Sequence, residues 1–205
     1  MSLKIDWATY EATKYACTHF HYSKSVPAGK LIKIGAWEDG KFIGVVIFSR
    51  GANKSIGSPY GLKQTECCEL TRVALTKHKC FVSQILAEAI RFLKNFNPDM
   101  QLIVSYADTD QEHHGGIYQA TNWIYEGKTS GERYFIVNGK KTHPKSIHSK
   151  YGKGSQRIEW IRSHVDPNAQ IYESNGKHKY LMPLNKEMKK KILPLAKPYP
   201  KRIKK

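Results

Sequence analysis

Glu69-Leu-Thr-Arg-Val-Ala-Leu75 is an apolar run of strand length near the middle of the 205-residue chain. A basic turn follows it, and then an amphipathic segment, Phe81–Phe96, whose apolar residues recur at helical spacing. With a second apolar run, Gln101-Leu-Ile-Val-Ser-Tyr-Ala107, this order predicts a strand–helix–strand unit whose strands are parallel. Polar residues from Asp108 to Tyr118 come directly after the second strand. Ligands of open α/β sheets bind beyond the carboxyl ends of the strands, so we expect functional side chains there.

The sequence on either side predicts a mixed sheet with helices on both faces. Residues 8–23 have apolar positions at helical spacing, which predicts a first helix. Lys30–Trp37 and Lys41–Ser49 predict a hairpin across Glu38-Asp-Gly40, and residues 50–63 have the Gly, Ser and Pro content of a loop. The other predicted elements are strands at 66–75 and 101–107, a helix at 82–96, a short helix at 117–122, a strand pair at 123–127 and 133–137, two short basic helices at 143–152 and 155–165, and a short strand at 179–184.

The composition is that of a folded globular protein. Hydrophobic residues make up 40% of the sequence, and no apolar stretch approaches the roughly 18 residues of a membrane-spanning helix. The amino terminus lacks the apolar core of a secretion signal, so we expect a cytoplasmic protein with no membrane partner. The four cysteines show no Cys-x-x-Cys spacing and predict buried free thiols. No ligand spacing predicts a metal site, since His113-His114 is the only tight histidine cluster.

The net charge of +17 is the strongest signal in the composition. Lys and Arg on this scale usually contact phosphates and release counterions from a nucleic acid, so a nucleic acid is the predicted partner. The alternative is a soluble protein with an exposed Lys-rich tail. The basic residues, however, extend from Lys24 to Lys205 rather than clustering at one end.

Unusual residues occur together, in order, in segments spread along the chain: His21-Tyr-Ser23, Gly44-Val-Val-Ile-Phe-Ser-Arg-Gly-Ala52, Glu69-Leu-Thr-Arg72, Tyr106-Ala-Asp108, Gly116-Ile-Tyr-Gln-Ala-Thr-Asn-Trp123, Tyr125-Glu-Gly127 and Lys177-His-Lys-Tyr-Leu-Met-Pro183. Together they resemble the Mom family of DNA-modification proteins, the group typified by phage Mu. The resemblance covers nearly the whole chain and implies a GNAT-like acyltransferase fold, which is an α/β architecture with a mixed α+β sheet. It also implies that the partner is double-stranded DNA and that adenine in it is converted to N6-carbamoylmethyladenine, which blocks restriction enzymes.

The hydrophobic pattern changes near residue 141. We expect a GNAT-like catalytic domain over 1–140, a basic extension packed on it over 141–185, and a Lys/Pro-rich, extended arm over 186–205. The basic carboxyl-terminal part would hold the DNA backbone. An unstructured, solvated tail is the alternative.

Asp108 and Tyr118 are the first two candidate catalytic residues. Asp108 ends a predicted buried strand, where a carboxylate can hold or deprotonate an amine; a cap for the following turn is the alternative. Tyr118 begins a short helix after two glycines. The resemblance implies that a tyrosine at this place protonates the leaving group, and core packing is its alternative.

Arg72 and Glu69 complete the candidate catalytic set, on the strand that lines the acyl site in GNAT folds. A charged residue in an apolar strand must be paired or face a ligand, because burying it alone is unfavourable. A structural Arg72–Glu69 pair is the alternative. Residues three positions apart on a regular strand face opposite sides, so direct pairing requires a β-bulge. GNAT folds often have such a bulge, which exposes a backbone N–H as an oxyanion donor.

The candidate substrate-binding residues lie at the end of the first helix, after the hairpin, and among the aromatic side chains. His21, Tyr22 and Ser23 end a helix that borders the substrate cleft in GNAT folds, although a surface turn also explains His21 and Ser23. Modifying a paired base requires extruding it from the stack, which costs a few kcal/mol. The extruded base would stack on Tyr22, Tyr60 or Trp123, with core packing as the alternative for Trp123, and Arg50 would contact a phosphate.

The basic turn before the long helix is the predicted donor-binding site, with candidate residues Lys77, Lys79 and Ser83. GNAT enzymes that use coenzyme A have a glycine-containing turn there, whose N–H groups bind the pyrophosphate. Residues 76–83 contain no glycine, although the lysines can hold phosphates as point charges. An acyl-coenzyme A and a glycyl-tRNA are therefore both candidate donors, and the second would make tRNA a further partner. A solvated basic loop is the alternative.

The carbamoylmethyl group contains the atoms of a glycyl unit and one further nitrogen. We therefore hypothesise that glycine is transferred to the adenine amine and that the product then rearranges. Two other functions fit the sequence: a non-catalytic nucleic-acid-binding protein on a GNAT scaffold, and a coenzyme A-dependent acetyltransferase. The sequence does not indicate an oligomeric state.

Overall fold

The structure is a computed structural model that describes residues 2–50 and 55–202. Residues 51–54 of the predicted loop and 203–205 of the predicted arm lie outside this description. In chain order the helices and strands are β1 (Leu3–Trp7), α1 (Tyr10–Phe20), β2 (Leu31–Glu38), β3 (Lys41–Ser49), β4 (Cys67–Leu75), α2 (Val82–Phe96), β5 (Leu102–Asp108), α3 (Gly116–Gln119), β6 (Ile124–Lys128), β7 (Arg133–Val137), β8 (Lys140–Thr142), α4 (Pro144–Tyr151), α5 (Ile158–His164), β9 (Gln170–Glu173), β10 (Lys177–Pro183) and α6 (Lys186–Ile192).

The chain folds into two compact units. The first unit consists of the described parts of 1–107, 114–127 and 178–205, and the second consists of 108–113 and 128–177. This division differs from the predicted boundaries at 140/141 and 185/186. The reason is that β10 returns to the large sheet of the first unit, although it comes late in the chain.

A seven-stranded sheet forms the centre of the first unit, in the order β1-β2-β3-β4-β5-β10-β6. The first four strands are antiparallel neighbours, whereas β4 and β5 pair in parallel, with Cys67 opposite Leu102. The predicted strand–helix–strand unit is therefore confirmed. The predicted hairpin is also confirmed, and its turn residues Asp39 and Gly40 have φ angles of 48° and 80°, as a type I′ turn requires.

Helices α1 and α2 cover opposite faces of this sheet, as the alternation along β3 shows. Val46 and Phe48 lie in the same buried cluster as the apolar side of α2, whereas Val45 and Ile47 lie with Ala16 and Cys17 of α1. Each large apolar side chain that α2 buries contributes about 1.5–3 kcal/mol of stability. The strong apolar stripe explains why the predicted bounds, 82–96, match this helix.

Two predicted arrangements in the carboxyl-terminal half are wrong. The segments 123–127 and 133–137 do not pair with each other, because β6 lies beside β10 while β7 lies between β8 and β9 in a separate three-stranded sheet. The arm predicted from residue 186 is not extended at its start, because α6 forms there. Asn185 caps α6 by accepting from the Met188 N–H at 2.7 Å, and Met188 and Ile192 are buried.

The second unit contains the three-stranded sheet and the helices α4 and α5. Its core includes Phe135 and Val137 of β7 together with Ile147 of α4 and Ile161 of α5. The two predicted short basic helices are thus present. In the described ranges 2–50 and 55–202, no helix is both long enough and apolar enough to cross a lipid bilayer.

Candidate active site

A β-bulge interrupts β4 beside the predicted catalytic residues. In the β3–β4 ladder Ile47 pairs with Arg72, but the next residue along β3, Phe48, pairs with Leu70. Thr71 is therefore the extra residue of the bulge, and its hydroxyl donates to the carbonyl of Ile47 at 3.0 Å. The β-bulge that direct pairing of Glu69 with Arg72 would require is therefore present.

The bulge moves Arg72 to the face of the sheet that Glu69 occupies. Leu70 packs in the core under α2, and Val73 packs against that same core, although three positions separate these residues. Ala74 instead lies in the cluster under α1. Because the alternation reverses across the bulge, Glu69 and Arg72 both belong to the face covered by α1.

The Arg72 guanidinium is half-buried at the carboxyl-terminal end of α1. One terminal N–H donates to the carbonyl of Ser25, while Nε is buried and has no hydrogen-bond partner within the described residues. Burial lowers the pKa of Arg72, and the neighbouring Cys17 and Tyr22 side chains oppose that shift. A cation with an unsatisfied buried donor is suited to a further acceptor.

The sheet begins to separate next to the bulge. The parallel pairing of β4 with β5 runs from Cys67 and Leu102 to Leu70 and Ser105, and both strands continue beyond this point. The buried Ser105 hydroxyl donates to the Leu70 carbonyl at 2.7 Å. It is also hydrogen-bonded, at 2.8 Å, to the phenol of Tyr118. Ser105 therefore fixes the Tyr118 hydroxyl at the place where the strand pairing ends.

Tyr118 is a buried phenol that retains its proton at neutral pH. Its side chain is 8% exposed, and its ring lies 5.0 Å from the rings of both Trp123 and Tyr180. Burial raises the pKa of Tyr118 to about 12, the Ser105 hydrogen bond lowers it, and the nearby Glu69 and Tyr22 raise it further. The phenol can therefore donate a proton but is not a base at neutral pH.

The predicted substrate-binding segment after α1 folds into a tight turn. Nδ1 of His21 accepts from the Ser23 backbone N–H at 3.2 Å and lies 3.0 Å from the Ser23 hydroxyl. The His21 and Tyr22 rings are 4.2 Å apart. Tyr22 is 53% exposed, so its ring is accessible to a ligand, and it lies three residues before Ser25, whose carbonyl binds Arg72.

Comparison with known proteins identifies the family. The statistical description of the Mom protein family matches residues 2–201. The chain belongs to the Mom protein family. A relative named methylcarbamoylase Mom, from Escherichia phage Mu, is 23% identical over 188 residues, which cover 88% of this chain and 76% of the relative.

Solved structures show that this Mom-family chain has the predicted GNAT-like fold. The aminoglycoside acetyltransferase AAC(6')-Ib, crystallised in complex with coenzyme A, superposes on 92% of this chain and 98% of its own with a TM-score of 0.51. The sequence identity is 8%, so this likeness concerns the fold alone. A GNAT-family acetyltransferase from Streptococcus pneumoniae matches over 90% of this chain and all of its own, with 13% identity and a TM-score of 0.48.

Asp108 lies in the second unit of the Mom-family chain, at its first residue. Its carboxylate accepts from the Asp110 N–H at 3.0 Å and caps a short 3-10 helix, Thr109–Gln111, while its carbonyl accepts from the His113 N–H at 3.1 Å. These contacts are those of the capping alternative. A catalytic role for Asp108 stays a prediction.

Two aromatic residues predicted to receive a base are buried instead. Tyr60 is 2% exposed, donates from its phenol to Glu126 at 2.6 Å, and lies with its ring 5.1 Å from the Lys179 ammonium. Trp123 is fully buried against Tyr118, and its Nε1 has no hydrogen-bond partner in the part of the chain that the structure describes. Neither ring presents a face to an incoming base, so the stacking prediction is wrong for both. Aromatic character alone does not distinguish a core ring from a stacking surface.

The remaining predicted residues are accessible. Arg50 is exposed at the end of β3, where it can meet a phosphate. In the turn before α2, Lys77 and Lys79 are exposed and Ser83 is partly exposed. Their predicted roles toward substrate and donor stay predictions.

Glu38 also belongs to the turn before α2, a contact that the sequence analysis missed. Its two carboxylate oxygens lie 3.0 Å from the Lys79 N–H nitrogen, and Oε1 lies 2.6 Å from the Cys80 N–H nitrogen and accepts from the Cys80 thiol. The thiol hydrogen bond first, and then the Lys79 N–H, lower the pKa of Glu38 to about 2. The carboxylate is therefore ionised at neutral pH.

Sequence reasoning missed two further residues that shape the site. Ser105 is a polar residue inside an apolar strand, which is a usable signal because a buried hydroxyl needs a partner. Cys17 gives no such signal. Burial raises the pKa of the Cys17 thiol, so it stays protonated beside Arg72.

Proposed function

We propose that this Mom-family protein is a DNA-modifying transferase that converts adenine in DNA to N6-carbamoylmethyladenine. The observation that carries the proposal is the grouping of Glu69, Arg72 and Tyr118 where the β4–β5 pairing ends. This group lies where the two parallel strands cease to pair although both continue, which leaves backbone and side-chain groups of β4 and β5 without a partner strand. The name of the phage Mu relative, a methylcarbamoylase, supports transfer of a group of this kind.

Duplex DNA is the proposed substrate. The net charge of +17 favours binding to phosphates, and exposed Arg50 supplies one such contact in the first unit. An adenine extruded from the duplex needs a stacking surface, and the exposed ring of Tyr22, in the turn whose Ser25 carbonyl binds Arg72, provides one. Stacking on an aromatic side chain is worth about 1–3 kcal/mol per base, which offsets part of the cost of extrusion.

Tyr118, Arg72 and Glu69 divide the chemistry in this proposal. The Tyr118 phenol protonates the leaving group of the donor, because it is protonated at neutral pH and held by Ser105. The Arg72 guanidinium and a backbone N–H of the bulge stabilise the negative charge that forms on the acyl oxygen. Glu69 accepts a hydrogen bond from the adenine amine and orients it. Asp108 remains the candidate general base because it is the last residue of β5.

The proposed route has two steps that balance without an oxidant or reductant. The adenine amine first attacks the carbonyl carbon of an activated glycyl donor, which forms an amide and expels the donor's carrier together with a proton. The free glycyl amine then attacks C6 and forms a five-membered spiro ring. Breaking the original C6–N bond opens that ring, so the product is carbamoylmethyladenine and the original amino nitrogen becomes the terminal amide. A glycyl-tRNA is the donor class that we favour.

The product is tested by mass analysis of nucleosides from DNA of bacterial cells that express the chain. We expect a deoxyadenosine carrying one carbamoylmethyl group, and we expect its loss in the Tyr118→Phe variant. Unmodified adenine in cells that contain the folded protein would overturn the proposal. If that protein still bound DNA, the non-catalytic alternative would replace it.

The route is tested separately by labelling the adenine amino group with heavy nitrogen. Rearrangement places the label in the terminal amide, where fragmentation releases it with the side chain. A label that stays bonded to C6 would exclude the spiro intermediate while leaving the proposed product intact.

A further inference from the structure

The turn before α2 holds an anion that belongs to the protein itself. A long helix attracts negative charge at its amino terminus, because its first N–H groups lack partners within the helix and its dipole is positive there. In this chain the Glu38 carboxylate lies just before that terminus, with hydrogen bonds from the N–H groups of Lys79 and Cys80 in the preceding turn. The next N–H, that of Phe81, donates to the Gln84 side chain at 3.3 Å. Three successive N–H groups are therefore satisfied within the chain.

A coenzyme A diphosphate does not fit these residues. A diphosphate in this turn would need the same N–H groups and would have to displace or approach an ionised carboxylate, which repels it. The turn also lacks the glycine that lets a phosphate approach the backbone closely, since residues 76–83 contain none. Burial of Cys80 further anchors the Glu38 contact, because the thiol that binds the carboxylate is held in the core under α2.

We infer that Glu38 permanently closes the diphosphate position of the fold, so that the donor of this protein is not a coenzyme A thioester. The activated acyl group must then arrive on a carrier recognised elsewhere, such as an aminoacyl ester of a nucleic acid. This inference rests on the proposed function only in assuming that a donor exists. Removing the Glu38 carboxylate is therefore expected to create a diphosphate-binding site that the natural protein lacks.

Calorimetric titration of the full chain with desulfo-coenzyme A, a non-reactive probe, tests the inference directly. We expect no saturable binding by the natural protein. The Glu38→Ala variant, which frees the Lys79 and Cys80 N–H groups, should bind saturably, with a dissociation constant at least about tenfold below the highest probe concentration used on the natural protein. Inorganic pyrophosphate should raise the melting temperature of Glu38→Ala and leave that of the natural protein unchanged.

Glu66→Ala is the matched control. Glu66 also accepts from a backbone N–H, that of Lys63 at 2.7 Å, and from the Gln101 amide, but it lies away from the α2 turn. This variant should lose stability without gaining affinity for either probe. Glu38→Gln, which keeps an acceptor oxygen but removes the charge, replaces Glu38→Ala if the latter does not fold.

Saturable binding of desulfo-coenzyme A by the natural protein would overturn the inference. So would a folded Glu38→Ala or Glu38→Gln protein that gains no affinity for the probe or for pyrophosphate. None of these measurements depends on DNA modification. If the proposed function were wrong, these binding measurements would therefore still test the inference about Glu38.

Discussion

The β4 bulge and the turn before α2 are both polar regions of the first unit, but their hydrogen bonding differs. At the bulge, the Nε atom of Arg72 is buried with no partner among the described residues, and the Tyr118 phenol is hydrogen-bonded to Ser105. A buried donor without a partner costs about 1–3 kcal/mol, so such a group is retained where a ligand completes it.

In the turn before α2 it is the backbone that is satisfied, although the buried Nε2 of His78 has no partner among the described residues. Glu38 and Gln84 accept from the N–H groups of the three residues that directly precede α2. The comparison teaches that one sheet can carry a buried donor without a partner at its bulge while a carboxylate of the same chain occupies the backbone N–H groups of a nearby turn.

The largest expected effect comes from removing the phenol at the bulge. Tyr118→Phe keeps the ring that packs between Trp123 and Tyr180 but removes the proposed proton donor. We expect DNA modification to fall by about a hundredfold or more, the usual contribution of a general acid. Ser105 still bonds to the Leu70 carbonyl, so stability should fall by only about 1 kcal/mol.

Tyr180→Phe is the matched control for that change. The Tyr180 phenol is also largely buried, and it donates to the carbonyl of His114 at 2.5 Å. Its loss should cost similar stability and leave modification nearly unchanged. Equal losses of modified adenine in the two variants would show that both act through packing, and the proposed acid would then be wrong.

A smaller effect on modification is expected from Arg72→Met, but its effect on stability sharpens the comparison. The substitution removes a half-buried guanidinium whose Nε has no described partner. We expect the free energy of unfolding to stay within about 1 kcal/mol of the natural value, because an apolar side chain replaces a poorly satisfied cation. Modification should fall at least about tenfold as charge stabilisation is lost.

Arg91→Met is the matched control, because it tests whether replacing an arginine outside the bulge also lowers modification. Arg91 forms an exposed ion pair with Glu88 on α2, and such pairs contribute about 0–1 kcal/mol. Neither stability nor modification should change measurably. A severe loss of stability in Arg72→Met alone would assign Arg72 to the structure of the sheet rather than to the substrate.

In the turn before α2, substitution of Glu38 is expected to lower stability by an amount that depends on pH. The pKa of Glu38 is lowered from 4.5 to about 2 by hydrogen bonds from Cys80 and Lys79, so folding favours its ionised form. Its contribution is complete above pH 4.5 and is lost as the pH falls toward 2. The melting temperature of the natural protein should exceed that of Glu38→Gln near neutral pH, and the difference should shrink through this range. A difference that does not change with pH would contradict the ionised carboxylate.

Local pattern was enough for the elements around the bulge, although it missed the strands β1, β8 and β9. The apolar stripe of α2 gave its bounds, and the three-residue spacing of Glu69 and Arg72 showed that their direct pairing would need a bulge, which the structure contains. Both signals lie within a single element, where side-chain direction follows from backbone geometry.

Contacts between distant segments could not be read in this way. Glu38 ends a hairpin strand and meets Cys80 across 42 positions of the chain, so no local spacing indicates the pair. Tyr60 and Tyr22 are both aromatic residues near turns, yet the first is buried and the second is exposed. Only tertiary packing decides which ring a base could reach, which is why the stacking prediction failed at Tyr60 and Trp123.

The smallest effect is expected at the two exposed lysines of the closed turn. In the double variant Lys77→Ala, Lys79→Ala the backbone N–H of Lys79 still binds Glu38, because that contact does not involve the side chain. Surface substitutions of this kind change stability by about 0.5 kcal/mol or less, and DNA modification should stay within about twofold of the natural level. A larger loss of modification, with DNA affinity unchanged, would show that the lysine side chains bind the donor in front of the closed turn. The donor would then bind to the exposed lysine side chains of the turn. The difference between the bulge and the turn would in that case concern only their buried and backbone polar groups.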